Sequence, residues 1–162
     1  RGRLRQRGST CSGLWRLMAA RDFLSDKDKA DILVAISDAE SRTSGEIRLH
    51  VESRCKVDVL DRAATVFATL DMHKTELRNG VLFYLATEDR QFAILGDGGI
   101  NAAVPEGFWV GVKDTVITGL SQGKSGEGLA AGIRLAGEQL SAHFPVAEDD
   151  VNELSDDISF GS

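Results

Sequence analysis

The sequence has few cysteines, few prolines and no long run of apolar residues. Its 162 residues include two cysteines and two prolines. The cysteines, Cys11 and Cys55, form no CxxC pair, no metal-binding spacing and no disulfide framework, which favours a reducing compartment. No run of about 18 apolar residues occurs, so we expect no segment that spans a bilayer. These absences predict a soluble, cytoplasmic protein.

Most enzyme signatures are missing as well. The sequence contains no GxxxxGKS/T phosphate loop, no GxSxG elbow, no HExxH motif and no GxGxxG turn that opens a helix after a strand. Six residues after Cys55, where a cysteine phosphatase needs an arginine, stands Asp61. His50, His73 and His143 have no partner at triad or metal-ligand spacing, which favours structural or exposed roles for them.

The charge is unevenly distributed along the chain. The net charge is −6, but residues 1–17 hold five arginines and no acid, so the rest of the chain carries −11. A surface this acidic repels phosphate backbones, which argues against nucleic acid as a partner. We expect residues 1–17 to be an upstream leader without a folded role, with a targeting segment as the alternative. Residues 18–147 are predicted to form one α/β domain, and residues 148–162 a loosely held acidic tail.

Hydrophobic periodicity predicts the order of helices and strands. A strand at 46–52 alternates apolar and polar residues, and a continuous apolar run at 81–86 predicts a central strand. The helix between them makes these strands parallel, and a short polar turn makes the next strand antiparallel. The sequence therefore predicts a three-layer α/β/α sandwich with a small mixed sheet and four or five helices. The other predicted elements are helices at 26–42 and from Asp58 to near Met72, a strand at 92–95, a helix with Pro105 in its first turn, and a helix marked by Leu129 to Phe144.

These strand directions place polar side chains at the two edges of the sheet. One edge should gather Glu46, Arg78, Asn79 and Asp97 beside glycines. Carboxylate and amide oxygens on such turns suit Ca²⁺ or Mg²⁺. The alternative, which the geometry alone favours, is a salt bridge between Glu46 and Arg78, with Asp97 as a helix cap. The opposite edge should collect Glu52, Glu88, Asp89 and Arg90.

Several short motifs resemble those of one family, the TPM domain. That family includes a thylakoid-lumen acid phosphatase, a photosystem II repair protein and an ion-channel accessory protein. The resemblance extends over about residues 25–161. The motifs are TSGEIR at 43–48, RNGVL at 78–82, EDR at 88–90, FAILGDGGI at 92–100, Trp109, the loop of Gly123 and Lys124 with Gly128, and NELSDDIS at 152–159.

The resemblance implies a mixed sheet between helices, divalent-cation binding and, in plant members, weak phosphatase activity. The acidic positions that match are Glu46 and Asp97, with Asp89 as a further metal candidate. Many members are exported and tethered to membranes, whereas this sequence has neither a signal core nor an anchor, so a bacterial cytosolic form is the nearer analogue. Ser155 stands where a proline is common.

Together these observations predict a monomeric protein that binds Ca²⁺ or Mg²⁺ through Glu46 and Asp97, helped by Asn79. Slow hydrolysis of phosphomonoesters, with Asp97 and Arg78 as candidate catalytic residues and Arg78 holding the phosphate, would rely on metal-activated water. The alternative is a non-catalytic module whose sheet edge or acidic tail binds another protein.

Overall fold

The computed structural model describes residues 20–146 and 157–161. The predicted leader at 1–17 and most of the predicted acidic tail lie outside the described residues. The elements are helices α1 (Ala20–Phe23), α2 (Asp26–Glu40), α3 (Val59–Thr69), α4 (Gly98–Ala103), α5 (Phe108–Ser121) and α6 (Ser125–His143), a short 3₁₀ helix (Met72–Lys74), and strands β1 (Glu46–Glu52), β2 (Gly80–Ala86), β3 (Gln91–Gly96) and β4 (Ser159–Phe160).

The four strands form one mixed sheet in the order β3-β2-β1-β4. Strand β1 is parallel to β2, with Glu46 opposite Gly80, and β2 is antiparallel to β3, with Val81 opposite Gly96. The predicted mixed sheet, with its parallel crossover and its hairpin, is therefore confirmed.

Helices cover both faces of the sheet. Every residue of β2 is buried, as expected for a central strand flanked on both faces. On one face, the apolar residues of β1 and β2 pack against α2, α5 and α6. On the other face, Leu82, Tyr84 and Ala93 pack against Ala63 and Val66 of α3. The α/β/α layers are thus those that the sequence predicts.

Two helices begin at side-chain caps. Ser25 Oγ accepts a hydrogen bond from the Asp28 amide at 3.0 Å, and the Asp28 carboxylate accepts one from the Ser25 amide at 3.3 Å. Asp58 Oδ2 accepts from the amides of Leu60 and Asp61 at the start of α3. These caps satisfy amide groups that have no partner within the helix.

Two helix starts differ from the prediction. Helix α5 begins at Phe108, after Gly107 with φ of 79°, so Pro105 precedes the helix instead of lying in its first turn. Helix α6 begins at Ser125, ahead of the predicted Leu129. The hydrophobic pattern does not mark this first turn, because the turn packs through glycine and not through an apolar side chain. A Cβ on Gly128 would lie 2.9 Å from Gly119 Cα of α5.

Part of the predicted loose tail belongs to the sheet. Ser159 and Phe160 of β4 pair in parallel with His50 and Val51 of β1. The Gly161 amide donates to the Val51 carbonyl oxygen at 2.8 Å. The acidic composition of the tail did not predict this strand. The strand forms by pairing with β1, which is distant along the chain, and composition carries no signal of such a contact.

Candidate functional site

The structure brings four predicted site residues to one end of the sheet. Glu46 starts β1 opposite Gly80, and the Asp97 amide donates to the Gly80 carbonyl oxygen at 3.0 Å. Glu46 and Asp97 therefore flank Gly80 in one row across three strands. Arg78 and Asn79 directly precede β2. We call this group, Glu46, Arg78, Asn79 and Asp97, the acidic end of the sheet.

Arg78 pairs with Asp97. Arg78 Nε donates to Asp97 Oδ2 at 2.7 Å, and Arg78 Nη2 donates to Asp97 Oδ1 at 2.8 Å. Asp97 Oδ1 also accepts from the Gly98 amide at 2.7 Å, at the start of α4. Asp97 is thus the helix cap that the alternative interpretation expected, but the partner of Arg78 is Asp97 and not Glu46.

The pKa of Asp97 reflects two opposing effects. Burial by itself would raise this pKa, since it disfavours the charged carboxylate. The hydrogen bonds from Arg78 and Gly98 and the charge of Arg78 act the other way, and the pKa of Asp97 lies below its ordinary value. The carboxylate is therefore charged at neutral pH.

A tight turn fixes the backbone of Arg78. Its φ is 54°, its amide donates to the Thr75 carbonyl oxygen at 3.2 Å, and its own carbonyl oxygen accepts from the Gly99 amide at 2.9 Å. A Cβ on Gly99 would lie 2.1 Å from the Leu77 carbonyl oxygen, so only glycine fits there. The Arg78 side chain is 56% exposed. The turn therefore fixes the backbone of Arg78, while more than half of its side chain remains exposed.

Asn79 carries a buried oxygen without a hydrogen-bond partner. The residue is 1% exposed, and its Nδ2 donates to the Ser44 carbonyl oxygen at 3.2 Å. Its Oδ1 is buried and accepts no hydrogen bond. An unsatisfied buried acceptor costs about 1–3 kcal/mol. Such an oxygen is also a suitable ligand for a hard cation.

The acidic end offers side-chain and backbone oxygen atoms, but the structure shows no assembled metal site among its described residues. In the described parts of the chain, no group of three His, Cys, Asp or Glu side chains is arranged to hold a metal. Glu46 and Asp97 contribute buried carboxylates, and a Cβ on Gly80 would lie 3.0 Å from the Met72 carbonyl oxygen. Carboxylate, amide and carbonyl oxygens are the ligand types that hard cations prefer.

Asp89 lies at the other end of the sheet. Its Oδ2 accepts from the Cys55 amide at 2.7 Å, and its Oδ1 is 3.9 Å from Arg54. Glu46 lies at the opposite end of β1, roughly 20 Å away at about 3.3 Å per residue. One ion therefore cannot contact both Asp89 and the acidic end, and the structure does not bring this metal candidate together with the others.

A second polar cluster lies at that far end, around Glu52. Arg62 Nε and Nη2 donate to the two Glu52 carboxylate oxygens at 2.7 and 2.8 Å. The Tyr84 hydroxyl also donates to Glu52, and His50 Nε2 is 3.2 Å from it. Burial would raise the pKa of Glu52, but these hydrogen bonds lower it to about 2. We call these four residues the Glu52 cluster.

Strand β4 closes the Glu52 cluster. His50 Nδ1 is 2.9 Å from Ser159 Oγ. A Cβ on Gly161 would lie 2.6 Å from Glu52 Oε1 and 3.0 Å from His50 Nε2. Burial lowers the pKa of His50 and outweighs the opposing effect of Glu52, so the neutral imidazole is favoured.

The family model of the TPM domain matches residues 18–139. The chain belongs to the TPM domain family. This confirms the resemblance inferred from the short motifs.

Solved structures agree with this assignment. The TPM domain is similar to the BA42 protein from the psychrophilic bacterium Bizionia argentinensis, with 45% identity over 86% of this chain and 96% of that chain, and a TM-score of 0.81. The N-terminal domain of the cg2496 protein from Corynebacterium glutamicum shares the fold, at 19% identity over 76% of this chain and 78% of that chain, with a TM-score of 0.59. An N-terminal domain from P. gingivalis does so at 19% identity over 78% of this chain and 83% of that chain, with a TM-score of 0.61.

A comparison with curated proteins found no match. Within residues 20–146 and 157–161, no helix of the TPM domain is long and apolar enough to cross a membrane.

The sequence analysis missed the Glu52 cluster in this TPM domain. Its signal was the alternation of Arg48, His50 and Glu52 on one face of a strand that should be half-buried. In the structure His50 and Glu52 are 6% and 3% exposed, so this polar face is covered and not solvated. Polar residues on a buried face need partners, which here are Arg62 and Tyr84.

Proposed function

We propose that this TPM domain binds a divalent cation, Ca²⁺ or Mg²⁺, at the acidic end of the sheet. The observation that carries the proposal is the buried Asn79 Oδ1 without a hydrogen-bond donor. The Glu46 amide donates to the Asn79 carbonyl oxygen at 3.2 Å, so Asn79 and Glu46 are direct neighbours. A cation would satisfy an oxygen that is otherwise destabilising.

The surrounding groups would bind a cation with low or moderate affinity, because some attract it and one competes with it. Glu46 and Asp97 supply negative charge, and the Met72 carbonyl oxygen over Gly80 supplies a further ligand of the right chemistry. Arg78 opposes the ion, because it already bonds to both carboxylate oxygens of Asp97. A cation must therefore replace Arg78 at Asp97, which weakens its binding.

We extend the proposal to slow hydrolysis of phosphomonoesters. A bound cation would supply polarisation of a phosphoryl oxygen and a more acidic bound water. Arg78 would orient the phosphate through its guanidinium, while Asp97 would hold the ion. The alternative is a non-catalytic interaction module, and the mutual pairing of Arg78 and Asp97 favours it, since each candidate catalytic side chain already has a partner.

Titration of the protein with Ca²⁺ and Mg²⁺, followed by calorimetry and backbone amide NMR, tests cation binding. We expect chemical-shift changes at residues 45–47, 78–80 and 96–99. Asp97→Asn and Glu46→Gln should weaken binding, whereas Asp89→Asn at the far end should leave it unchanged. Shift changes confined to other residues would contradict the proposed location.

Turnover of a generic phosphomonoester separates the enzyme from the interaction module. If the protein is an enzyme, we expect slow, cation-dependent hydrolysis that Asp97→Asn abolishes and Asp89→Asn preserves. If it is an interaction module, we expect no turnover in any variant, together with a protein partner recovered in a pull-down experiment and identified by mass spectrometry.

We also propose that the protein works in the cytoplasm as a monomer. The free thiol of Cys55 supports a reducing compartment. Cell fractionation and size-exclusion chromatography with light scattering test these two statements, and a dimer mass or a membrane-bound fraction would contradict them.

A further inference from the structure

The Arg78–Asp97 pair joins an exposed side chain to a buried one. Asp97 is 8% exposed, its amide donates to Gly80, and its Oδ1 accepts from Gly98. The Arg78 side chain is 56% exposed, although its backbone is held by Thr75 and Gly99. If the pair separates, Arg78 is therefore the side chain that moves, while the Asp97 carboxylate stays in place.

We propose that Arg78 links cation binding to phosphate binding: a cation that takes the Asp97 carboxylate releases the Arg78 guanidinium, which then binds a phosphomonoester dianion. This inference rests on the proposed function and adds the regulation of the same site. In the absence of a cation, Arg78 acts as the internal counterion of Asp97. In its presence, Arg78 becomes a free recognition group for phosphate.

The charge of the acidic end supports the linkage. Without a cation, the Asp97 carboxylate compensates the positive charge of Arg78 through the ion pair at 2.7 Å, so this pair attracts phosphate little. A divalent cation on the Asp97 carboxylate would make the pair net positive, which attracts phosphate. His73 follows Met72 in the 3₁₀ helix and is exposed, so a further basic side chain lies in the segment that leads to Arg78.

The geometry of the guanidinium also suits the second ligand. Nε and Nη2 of Arg78 form a two-point contact with Asp97, at 2.7 and 2.8 Å. The same two donors match two oxygens of a phosphate group. Phosphate and Asp97 therefore compete for one set of donors, and the cation decides which of them Arg78 contacts.

The linkage is measured as the affinity of inorganic phosphate with and without saturating Mg²⁺, by calorimetry or NMR titration. We expect phosphate to bind at least about fivefold more tightly with Mg²⁺, and Mg²⁺ to bind more tightly with phosphate by the same factor. In Arg78→Gln, Mg²⁺ should bind more tightly than in the wild type, because its competitor is gone, and phosphate affinity should no longer depend on Mg²⁺.

Arg54→Gln is the matched control. Arg54 is 60% exposed at the far end of the sheet, and its ion pairs with Glu88 and Asp89 are long, at 3.8 and 3.9 Å. This variant should keep the wild-type linkage. The side-chain NεH signal of Arg78 gives a direct readout, and Mg²⁺ alone should shift it toward the position of a solvated arginine.

The outcomes separate this inference from the function on which it rests. If Mg²⁺ binds at the acidic end but leaves phosphate affinity unchanged, the linkage is wrong and cation binding stands. If Arg78→Gln keeps the full linkage, phosphate contacts the cation directly and Arg78 is not the link. If Mg²⁺ does not bind, the proposed function and the linkage both fail.

Discussion

Tyr84 of β2 donates its hydroxyl hydrogen to the Glu52 carboxylate of the neighbouring parallel strand β1. Tyr84 is fully buried and Glu52 is 3% exposed, so water does not compete for this bond. Burial and the charge of Glu52 raise the pKa of Tyr84, which keeps the hydroxyl protonated as a donor. The Glu52 cluster is therefore a buried charge that depends on its protein partners.

Removing either partner should destabilise the domain. Tyr84→Phe takes one donor from a buried carboxylate, and we expect a loss of about 1–2 kcal/mol in the free energy of unfolding. Glu52→Gln leaves Arg62 without its counterion, with an expected loss of about 2–3 kcal/mol, since Arg62 stays partly solvated. Urea unfolding followed by circular dichroism measures both.

Glu88→Gln serves as the control for these two variants. Glu88 lies at the same end of the sheet, but its ion pair with Arg54 is long, at 3.8 Å. We expect a change within about 0.5 kcal/mol. A Tyr84→Phe variant as stable as the wild type would show that Glu52 does not need this hydroxyl.

Glu52 should also make stability depend on acid pH. Its pKa is lowered from 4.5 to about 2 in the folded protein. A lowered pKa means that the unfolded chain binds the proton more tightly, so the contribution of Glu52 is complete above pH 4.5 and is lost as pH falls toward 2. Unfolding midpoints measured between pH 6 and pH 2 should fall less steeply in Glu52→Gln, and parallel curves for the two proteins would contradict this.

The sequence predicts the frame of this domain because the relevant signals are local. The alternation over β1, the apolar run of β2 and the hydrophobic periodicity of α2 each depend on neighbouring residues, and each predicts its element. The pairing of Arg78 with Asp97 depends instead on a left-handed turn at Arg78 and on a glycine that fits beneath it. Its two residues are 19 positions apart. Residue type alone therefore made Glu46 an equally reasonable partner.

The far end of the sheet was harder to predict for the same reason. Strand β4 has two residues, and its contact between Ser159 and His50 spans 109 positions. No local period marks so short a strand. The contact between Tyr84 and Glu52, by contrast, follows from the parallel register of β1 and β2. That register places His50 opposite Tyr84, and Glu52 lies two positions further along the same face. The predicted strand pairing is therefore enough to identify this side-chain contact.

Protonation of His50 should loosen strand β4. Burial lowers the pKa of His50 below its ordinary value, so its contribution to folding is complete above pH 6.5 and declines as pH falls. Glu52 attracts the protonated ring, whereas Arg48 and Arg62 repel it. Hydrogen exchange of the Gly161 amide, which bonds to Val51, should therefore be less protected at pH 5 than at pH 7, after correction for the intrinsic rate.

The control for this effect is the amide of Asp97, which bonds to Gly80 at the other end of the sheet. Its protection should change less over the same pH range. In His50→Gln, the additional loss of protection at Gly161 should disappear. Equal pH dependence of Gly161 in the variant and the wild type would show that His50 does not control the strand.

Two glycine-to-alanine substitutions should have opposite effects on stability. A Cβ on Gly137 of α6 would lie 2.4 Å from Ala39 Cβ of α2, so Gly137→Ala forces the two helices apart. We expect a loss of about 1–3 kcal/mol. Gly111 lies within α5 and a Cβ there meets nothing within 4 Å, so Gly111→Ala should raise stability by about 0.5–1 kcal/mol through helix propensity. Thermal unfolding of the two variants tests this contrast, and equal shifts would mean that α2 and α6 do not pack through this glycine.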